Sequence, residues 1–298
     1  MDWKSRKVAA IVEAALAEDK ATSDVTTALA IDPDLRASAA ILVRQDCIIC
    51  GLGVIGTVFD VFAAMQARSG QKSSGRYQVI SHPEMFDGVR VRKGQTVAVI
   101  RHSAAAIFSC ERVILNLMQR MSGIATLTSE FVELTKGTHA KILDTRKTVP
   151  GLRLLDKYAV TCGGGANHRL DLQDGIMLKT SHVVIAGGIA NAVQKVAKAR
   201  KPGQKIEIEV RSLQDAEDAV AAGADALLLV GLSPKQTTEV VEVMRAKAPK
   251  VVLEVAEHIS LENAREYAET GVDFLSVGAL TRSSVGVDLS MRITADVF

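Results

Sequence analysis

The sequence predicts an α/β fold in which the second half of the chain forms a parallel barrel. Six short apolar runs alternate there with helical patterns, and their near-continuous Val, Ile and Leu content is typical of buried parallel strands. The runs cover residues 141–145, 175–179, 205–210, 226–230, 251–255 and 273–277, with helices over 189–200 and 237–247 between them. A helix–turn–strand pattern supports this fold, because the copy that begins at Ser212 recurs 48 positions later at Ser260. Stacked units of this kind form a barrel, so six strands indicate either a small barrel or two strands that the pattern hides.

The first 110 residues predict a mixed α and β region. A helical pattern covers 3–17, and the sequence Asp24-Val25-Thr26-Thr27 that follows it predicts a turn. Apolar residues at alternate positions predict strands over 37–44, 77–81, 89–91 and 96–100. A long helical pattern then covers 104–134.

The composition excludes several classes of protein. Lys and Arg number 36 and Asp and Glu 34, so the formal charge of +2 excludes a strongly basic surface that recruits nucleic acid. Aromatic residues make up 4% of the chain, which is few for a protein that stacks single-stranded bases. The longest uncharged apolar stretch, 47–59, is too short to span a membrane. We therefore expect partners that are small molecules, with neither nucleic acid nor membrane among them.

The cysteines and the N-terminus predict a cytoplasmic location. Glu13 interrupts the apolar part of the first segment, which indicates an amphipathic helix rather than a signal peptide. Four cysteines in 298 residues do not make a disulfide framework, so a reducing compartment is expected. Cys47 and Cys50 form a CxxC without a second cysteine pair, which favours an apolar strand over redox or metal chemistry.

Charged residues follow several predicted strands, and in parallel barrels the chemistry lies at these carboxyl ends. The residues after the six strands in order include Arg146-Lys147, Lys179 with His182, the pair Glu207 and Glu209 within the third strand, Val230-Gly231, Ala256-Glu257-His258, and Gly278. The cations there, together with His168 and Arg169, predict a pocket for anions, since Arg and Lys bind carboxylate and phosphate. The alternative for each cation alone is a solvated surface position.

Two further features leave alternatives open. The loop 162–169 carries three consecutive glycines, which allow close backbone approach to a ligand, but its spacing matches neither a dinucleotide fingerprint nor a P-loop. Its His168 is either an anion donor or an ordinary core histidine. Glu207 and Glu209 share one strand face, where they either bind Mg²⁺ and stabilise a developing cation or form salt bridges with the cations.

Four motifs resemble the quinolinate phosphoribosyltransferases, also called carboxylating nicotinate-nucleotide pyrophosphorylases. They are DTRKTVPGLR at 144–153, KYAVTCGGGANHRL at 157–170, ERVILNLMQRMSGIAT at 111–126 and SVGALT at 276–281. The similarity extends over essentially the whole chain. It implies a Mg²⁺-dependent pentosyltransferase that makes nicotinate mononucleotide, pyrophosphate and CO₂ from quinolinate and phosphoribosyl pyrophosphate (PRPP), in NAD biosynthesis.

The resemblance also implies an architecture. An N-terminal α/β sandwich over 1–118, joined by a C-terminal tail over 283–298, would precede an incomplete six-stranded α/β barrel over 119–282. Members of the family are homodimers in which the N-terminal domain of one subunit covers the barrel mouth of the other. Arg112 would then act across the interface.

Roles for individual residues follow from the resemblance alone. Quinolinate would be bound by Arg112, Arg146, His168, Arg169 and Lys179. Lys147 would contact PRPP, and Gly278 would also line the substrate site. Glu209 would lie near the ribose and bind the metal, so that Glu209, Lys147 and Lys179 are the expected catalytic residues.

The chain departs from the family pattern at three strand ends of one pocket. The family usually has Asp-Asn where this chain has Val230-Gly231, and Ser-Gly-Gly where it has Ala256-Glu257-His258. It has an acidic or polar residue, Asn and His after the lysine, where this chain has Thr180-Ser181-His182. An alternative to the working transferase is therefore an inactive or repurposed relative, natural or engineered, that keeps the scaffold and an anion pocket.

Overall fold

In the computed structural model, which describes residues 1–294, the chain divides into two units. Unit 1 comprises Met1–Leu127, Val149–Gly164 and the chain from Ser284, whereas unit 2 comprises Thr128–Thr148 and Gly165–Ser283. The expected boundary after residue 118 falls inside the long helix that ends at Leu134. Of the tail expected at 283–298, residues 295–298 lie outside the described part of the chain.

The strands of unit 1 are β1 (Arg36–Val43), β2 (Cys47–Ile48), β3 (Gln78–Ile80), β4 (Arg90–Val91), β5 (Thr96–Ser103) and β12 (Leu289–Thr294). They form a four-stranded antiparallel sheet in the order β12–β1–β5–β3 and a separate two-stranded pair, β2–β4. The helices of unit 1 are α1 (Arg6–Glu18), α2 (Val25–Ala30), α3 (Val54–Arg68), α4 (Ala104–Leu134, to Leu127 in this unit) and α5 (Arg153–Cys162). The four strands and two helices expected in this region are all present; α4 has the predicted bounds, and the ends of the others differ by up to three residues.

Two helices of unit 1 differ from the sequence expectation. The predicted turn at 24–27 is wrong, because Asp24 caps α2 by accepting the Thr27 amide at 3.0 Å, and the chain continues as a helix. Helix α3 was hidden by the glycines before and within it. A Cβ on Gly53 would lie 2.3 Å from the Trp3 ring, so tertiary packing rather than local flexibility requires that glycine.

Polar contacts attach helix α5 to unit 1, although its residues were expected to belong to the barrel. Arg120 donates two hydrogen bonds to the fully buried Asp156, at 2.8 and 2.7 Å. The Tyr158 hydroxyl donates to Asp87 at 2.7 Å. Because a buried carboxylate left without its arginine is strongly destabilising, these contacts hold the helix firmly in this unit.

Acidification from pH 6.5 towards pH 4 is expected to destabilise unit 1 through His102. This side chain is 1% exposed, and burial, together with the charge of Arg36, lowers its pKa to about 4. In the unfolded chain the pKa of His102 is near 6.5, so the side chain is protonated in this window, whereas in the folded chain it stays neutral. The contribution of His102 to the free energy of unfolding is therefore fully present above pH 6.5. It is lost as the pH falls towards 4, by about 3 kcal/mol in total. Urea unfolding should show this loss in the original chain and a flatter profile in His102→Gln; equal slopes would contradict it.

The strands of unit 2 are β6 (Lys141–Leu143), β7 (Ile176–Leu178), β8 (Ile206–Val210), β9 (Ala226–Val230), β10 (Val252–Ala256) and β11 (Phe274–Ser276). They form one six-stranded parallel sheet in the order β6–β11–β10–β9–β8–β7. The helices of unit 2 are α6 (Thr180–Ile185), α7 (Ile189–Ala199), α8 (Leu213–Ala221), α9 (Pro234–Lys247), α10 (Ala264–Ala268) and α11 (Ala279–Arg282). All six predicted strands are confirmed, and β6 and β7 remain sheet edges, as an incomplete barrel requires.

The strand register places the carboxyl ends side by side. Ala256 of β10 pairs with Val230 of β9 on one side and with Ser276 of β11 on the other. Residues that follow these strands therefore meet at one edge of the sheet. Within residues 1–294, no helix combines the length and the apolar character needed to cross a membrane.

Candidate active site

A cavity of about 350 Å³ opens in unit 2 where the strands end. Its volume lies in the range of small-molecule sites. Its charged lining residues are Arg146, Lys147, His168, Arg169, Lys179, Glu209, Glu254 and Glu257, and its other lining residues include Met177, Leu228, Val230, Ala256 and Ser276. The structure thus brings the five predicted cations together with Glu209 in one place.

The segment that carries His168 and Arg169 is fixed by hydrogen bonds to β6. Ala166 donates its amide to Ile142 at 2.8 Å, and the His168 amide donates at 2.8 Å to Asp144, which is fully buried. Of the three glycines before it, Gly164 has a φ of +90°, which favours glycine, and ends helix α5. We conclude that this glycine terminates a helix.

The two arginines of the cavity form a strongly cationic wall. Arg169 donates to the Gly175 carbonyl at 3.0 Å and contacts the Met177 sulfur at 3.6 Å. Burial lowers the pKa of Arg169, and the neighbouring charge of Arg146 lowers it further. Two guanidinium groups that repel each other in this way are stabilised by an anion placed between them.

Glu209 and Lys179 lie at the start of helix α6. The Glu209 Oε2 atom accepts the Thr180 amide at 2.8 Å and the Thr180 hydroxyl at 3.1 Å. The Lys179 amide donates to His182 Nδ1 at 3.0 Å, so His182 caps this helix and lies outside the cavity lining of the described chain. These bonds orient the Glu209 carboxylate towards the cavity.

Lys147 reaches the cavity across Gly278. A Cβ on Gly278 would lie 3.0 Å from the Lys147 Cδ atom, so a larger residue there would displace the lysine side chain. The Lys147 carbonyl accepts the Thr281 hydroxyl at 2.9 Å, which fixes the backbone after β6. The absence of a side chain at Gly278 therefore leaves room for the Lys147 side chain in its observed position.

The loop after β10 has an unusual backbone. Glu257 and His258 adopt left-handed φ angles of 73° and 53°, a conformation that costs little for glycine and more for other residues. Glu257 lines the cavity. Among residues 1–294, the lining does not include His258, Ser181 or Gly231.

Sequence reasoning anticipated a salt bridge between Glu207 and one of the predicted cations, but it missed Glu254, which completes a buried cluster with His168 and Glu207 at the cavity. The His168 Nε2 atom lies 3.1 Å from Glu207 and 3.5 Å from Glu254. Burial lowers the pKa of His168, but the two carboxylates raise it to about 10, whereas the Arg169 amide, which donates to Nδ1 at 2.7 Å, opposes a proton on that nitrogen. Because Nδ1 accepts a hydrogen bond, we place the ring proton on Nε2, where both carboxylates can accept it. Glu254 was detectable in principle, because it shares a strand face with Ala256.

Arg112 belongs to unit 1, unlike the other expected site residues. It is exposed on helix α4 and lines a cavity of about 420 Å³ with residues of α1 and with Val149–Leu152 of the same unit. Its expected action on a neighbouring subunit stays a prediction.

Known proteins resemble the chain over almost its full length. Residues 24–122 match the quinolinate phosphoribosyl transferase N-terminal domain, and residues 124–292 match the C-terminal domain. The carboxylating nicotinate-nucleotide pyrophosphorylase of Mycobacterium leprae is 38% identical over 270 residues, covering 89% of this chain and 91% of that protein.

Solved structures agree with these matches. The nicotinate-nucleotide pyrophosphorylase from Francisella tularensis superposes with a TM-score of 0.84 at 35% identity, covering 97% of this chain and 96% of its own. NadC from Streptococcus pyogenes gives 0.85 at 34% identity, covering 95% of each chain. Because both domains match in order and the fold agrees throughout, this chain belongs to the quinolinate phosphoribosyltransferase family.

Proposed function

We propose that this chain transfers the phosphoribosyl group of PRPP to quinolinate and releases pyrophosphate and CO₂, forming nicotinate mononucleotide for NAD biosynthesis. The observation that carries the proposal is the cavity in which Arg146, Lys147, Arg169 and Lys179 face Glu209. A dicarboxylate and a polyphosphate both need such a concentration of cations. Every relative named above is a pyrophosphorylase or NadC, which favours the transferase over an inactive relative.

Quinolinate carries two adjacent carboxylates, which are costly to remove from water unless each is paired. Arg146, Arg169 and Lys179 supply donors for them from one wall of the cavity. His168 lies in the same wall, with its ring nitrogens against protein groups. Binding holds the pyridine nitrogen near the carbon of PRPP that it attacks, which contributes through orientation.

The remaining cation of the cavity, Lys147, would bind the phosphate groups of PRPP. Its side chain lies against Gly278. Mg²⁺ is usually held in proteins by one or two carboxylates together with substrate phosphates and water. Glu209 fits this donor set, because both bonds from Thr180 use Oε2 and the residues described leave Oε1 for a ligand. Bound there with pyrophosphate, Mg²⁺ would neutralise the charge of the leaving group. Val230, which stands where the family pattern has Asp, has no side-chain oxygen to offer to the metal.

The reaction has two steps that the charges of the cavity assist. As the bond to pyrophosphate breaks, the ribose develops oxocarbenium character, which the Glu209 carboxylate stabilises. The ring nitrogen becomes positively charged once it is bonded to the ribose. The 2-carboxylate then leaves as CO₂, and the electron pair of the broken bond remains beside that positive charge before a proton replaces the lost group.

The proposal includes a homodimer in the cytoplasm. Arg112 of the partner subunit would add a donor to the quinolinate carboxylates, in keeping with its position on the exposed side of helix α4. Four free cysteines, of which Cys47, Cys50 and Cys110 are buried, suit a reducing compartment.

Purified protein incubated with quinolinate, PRPP and Mg²⁺ is expected to release pyrophosphate and CO₂ in equal amounts. Nicotinate, which lacks the 2-carboxylate, is the matched control and should release neither. Binding of quinolinate without turnover would favour the inactive relative. Absence of binding at millimolar quinolinate would contradict both functions.

A further inference from the structure

The proposed chemistry leaves the buried cluster beside the cavity without a role. Glu207 on β8 is 8% exposed and Glu254 on β10 is 4% exposed, and both carboxylates face the His168 ring. Carboxylates with so little access to water need protein donors. His168 is the donor that Glu207 and Glu254 share, and Ser276 of β11 donates its hydroxyl to the other oxygen of Glu254.

The direction of these hydrogen bonds is fixed by the second ring nitrogen. His168 Nδ1 accepts the amide of Arg169 at 2.7 Å, so the ring proton is on Nε2, between the two carboxylates. The ligand atoms of these three side chains lie within 4.8 Å of one another, and in this structure they form a hydrogen-bonded cluster.

The cluster ends at the arginine that faces the cavity. Glu207 and Glu254 hold one side of the His168 ring, and the other side of the ring holds the backbone of Arg169. The guanidinium group of Arg169 is then fixed by Gly175 and Met177. A continuous chain of contacts therefore runs from two buried carboxylates to a donor of the substrate site.

We propose that Glu207 and Glu254 are positioning residues that fix the orientation of the His168 ring and, through it, the place of Arg169 for binding the dicarboxylate. This inference rests on the proposed function. It assigns the two glutamates to quinolinate binding and separates them from Glu209, which serves the ribose and the metal. Since either carboxylate alone can accept the Nε2 proton, loss of one is tolerated better than loss of both.

The test measures quinolinate affinity by calorimetry in Glu207→Gln, Glu254→Gln and the double variant. Each single change is expected to weaken binding by no more than about threefold and the double change by about a hundredfold, more than the product of the single effects, while the KM for PRPP changes less than about threefold, because only the dicarboxylate donors move. Glu239→Gln is the matched control, since it makes the same change on the exposed surface of helix α9. Unchanged quinolinate affinity in the double variant would overturn the proposal.

A direct readout of the ring separates positioning from general damage. Nitrogen-15 spectra of histidine-labelled protein should show His168 with its proton on Nε2, and a mixture of ring forms in the double variant; an unchanged spectrum there would refute the proposal. Should the double variant fail to fold, Ser276→Ala removes only the hydroxyl that orients Glu254 and should still weaken quinolinate binding a few-fold. No change in that variant would count against the role of Glu254. If Arg169→Ala also leaves quinolinate binding intact, the dicarboxylate site itself is wrong, and the proposed function fails with it.

Discussion

Arg169→Ala is expected to weaken quinolinate binding by about two powers of ten. The guanidinium group is held by Gly175 and Met177 in the cavity wall, and Arg146 beside it raises the local positive charge. Removing it leaves one carboxylate of the ligand without a charged partner, at a cost of about 3 kcal/mol. Calorimetry without PRPP measures this effect separately from catalysis. The Arg169 amide that donates to His168 is unaffected by the substitution.

Two variants sharpen this test. Arg169→Lys keeps the charge but loses the two-pronged contact, so its affinity should lie between those of the original chain and Arg169→Ala. Arg211→Ala removes an exposed arginine just after β8, outside the cavity lining in the described chain, and should bind normally. Equal affinity in Arg169→Ala and Arg211→Ala would remove Arg169 from the quinolinate site.

The barrel strands were predictable because most of their residues are buried. A strand covered on both faces is apolar at nearly every position, and β9, over Ala226–Val230, has the bounds that its apolar run predicts. Helix α3 was not predictable in this way. Its start depends on Trp3 packing against Gly53, a contact between residues fifty positions apart that no local pattern contains.

The cations of the site were predictable, and the environment of each acid was not. Charges at the ends of parallel strands meet by topology alone, so Arg146 and Lys179 could be placed together in advance. Glu207 and Glu209 share a strand face in the sequence, yet the first contacts His168 and the second contacts Thr180. That difference depends on which loop lies above each side chain, and loop positions follow from tertiary packing.

The backbone of the loop after β10 also lay beyond sequence reasoning. Glu257 and His258 stand where the family pattern has glycines. Both residues adopt the left-handed φ angles that glycine favours. The course of the chain is therefore compatible with glycine, and the change in the cavity is the added Glu257 side chain.

Replacing Glu257 and His258 together by glycine is expected to lower the Kd for PRPP by about one to three powers of ten. A carboxylate about 4 Å from a phosphate repels it by roughly 1–4 kcal/mol, depending on exposure to solvent, and glycine removes that charge. The left-handed backbone costs most residues about 1–2 kcal/mol, partly offset in glycine by greater chain entropy, so stability should change little or rise slightly. PRPP binding and thermal unfolding measure the two effects. Quinolinate affinity should stay constant, because its donors follow β6 and β7.

Glu257→Gln separates charge from backbone in the same loop. It removes the negative charge but keeps a side chain at a φ of 73°, so it should recover most of the gain in PRPP affinity without any gain in stability. If only the glycine variant gains affinity, backbone approach to the phosphate limits binding rather than repulsion. If neither variant gains, Glu257 faces away from the phosphate of bound PRPP, and the substitutions after β10 are neutral variation in a working transferase.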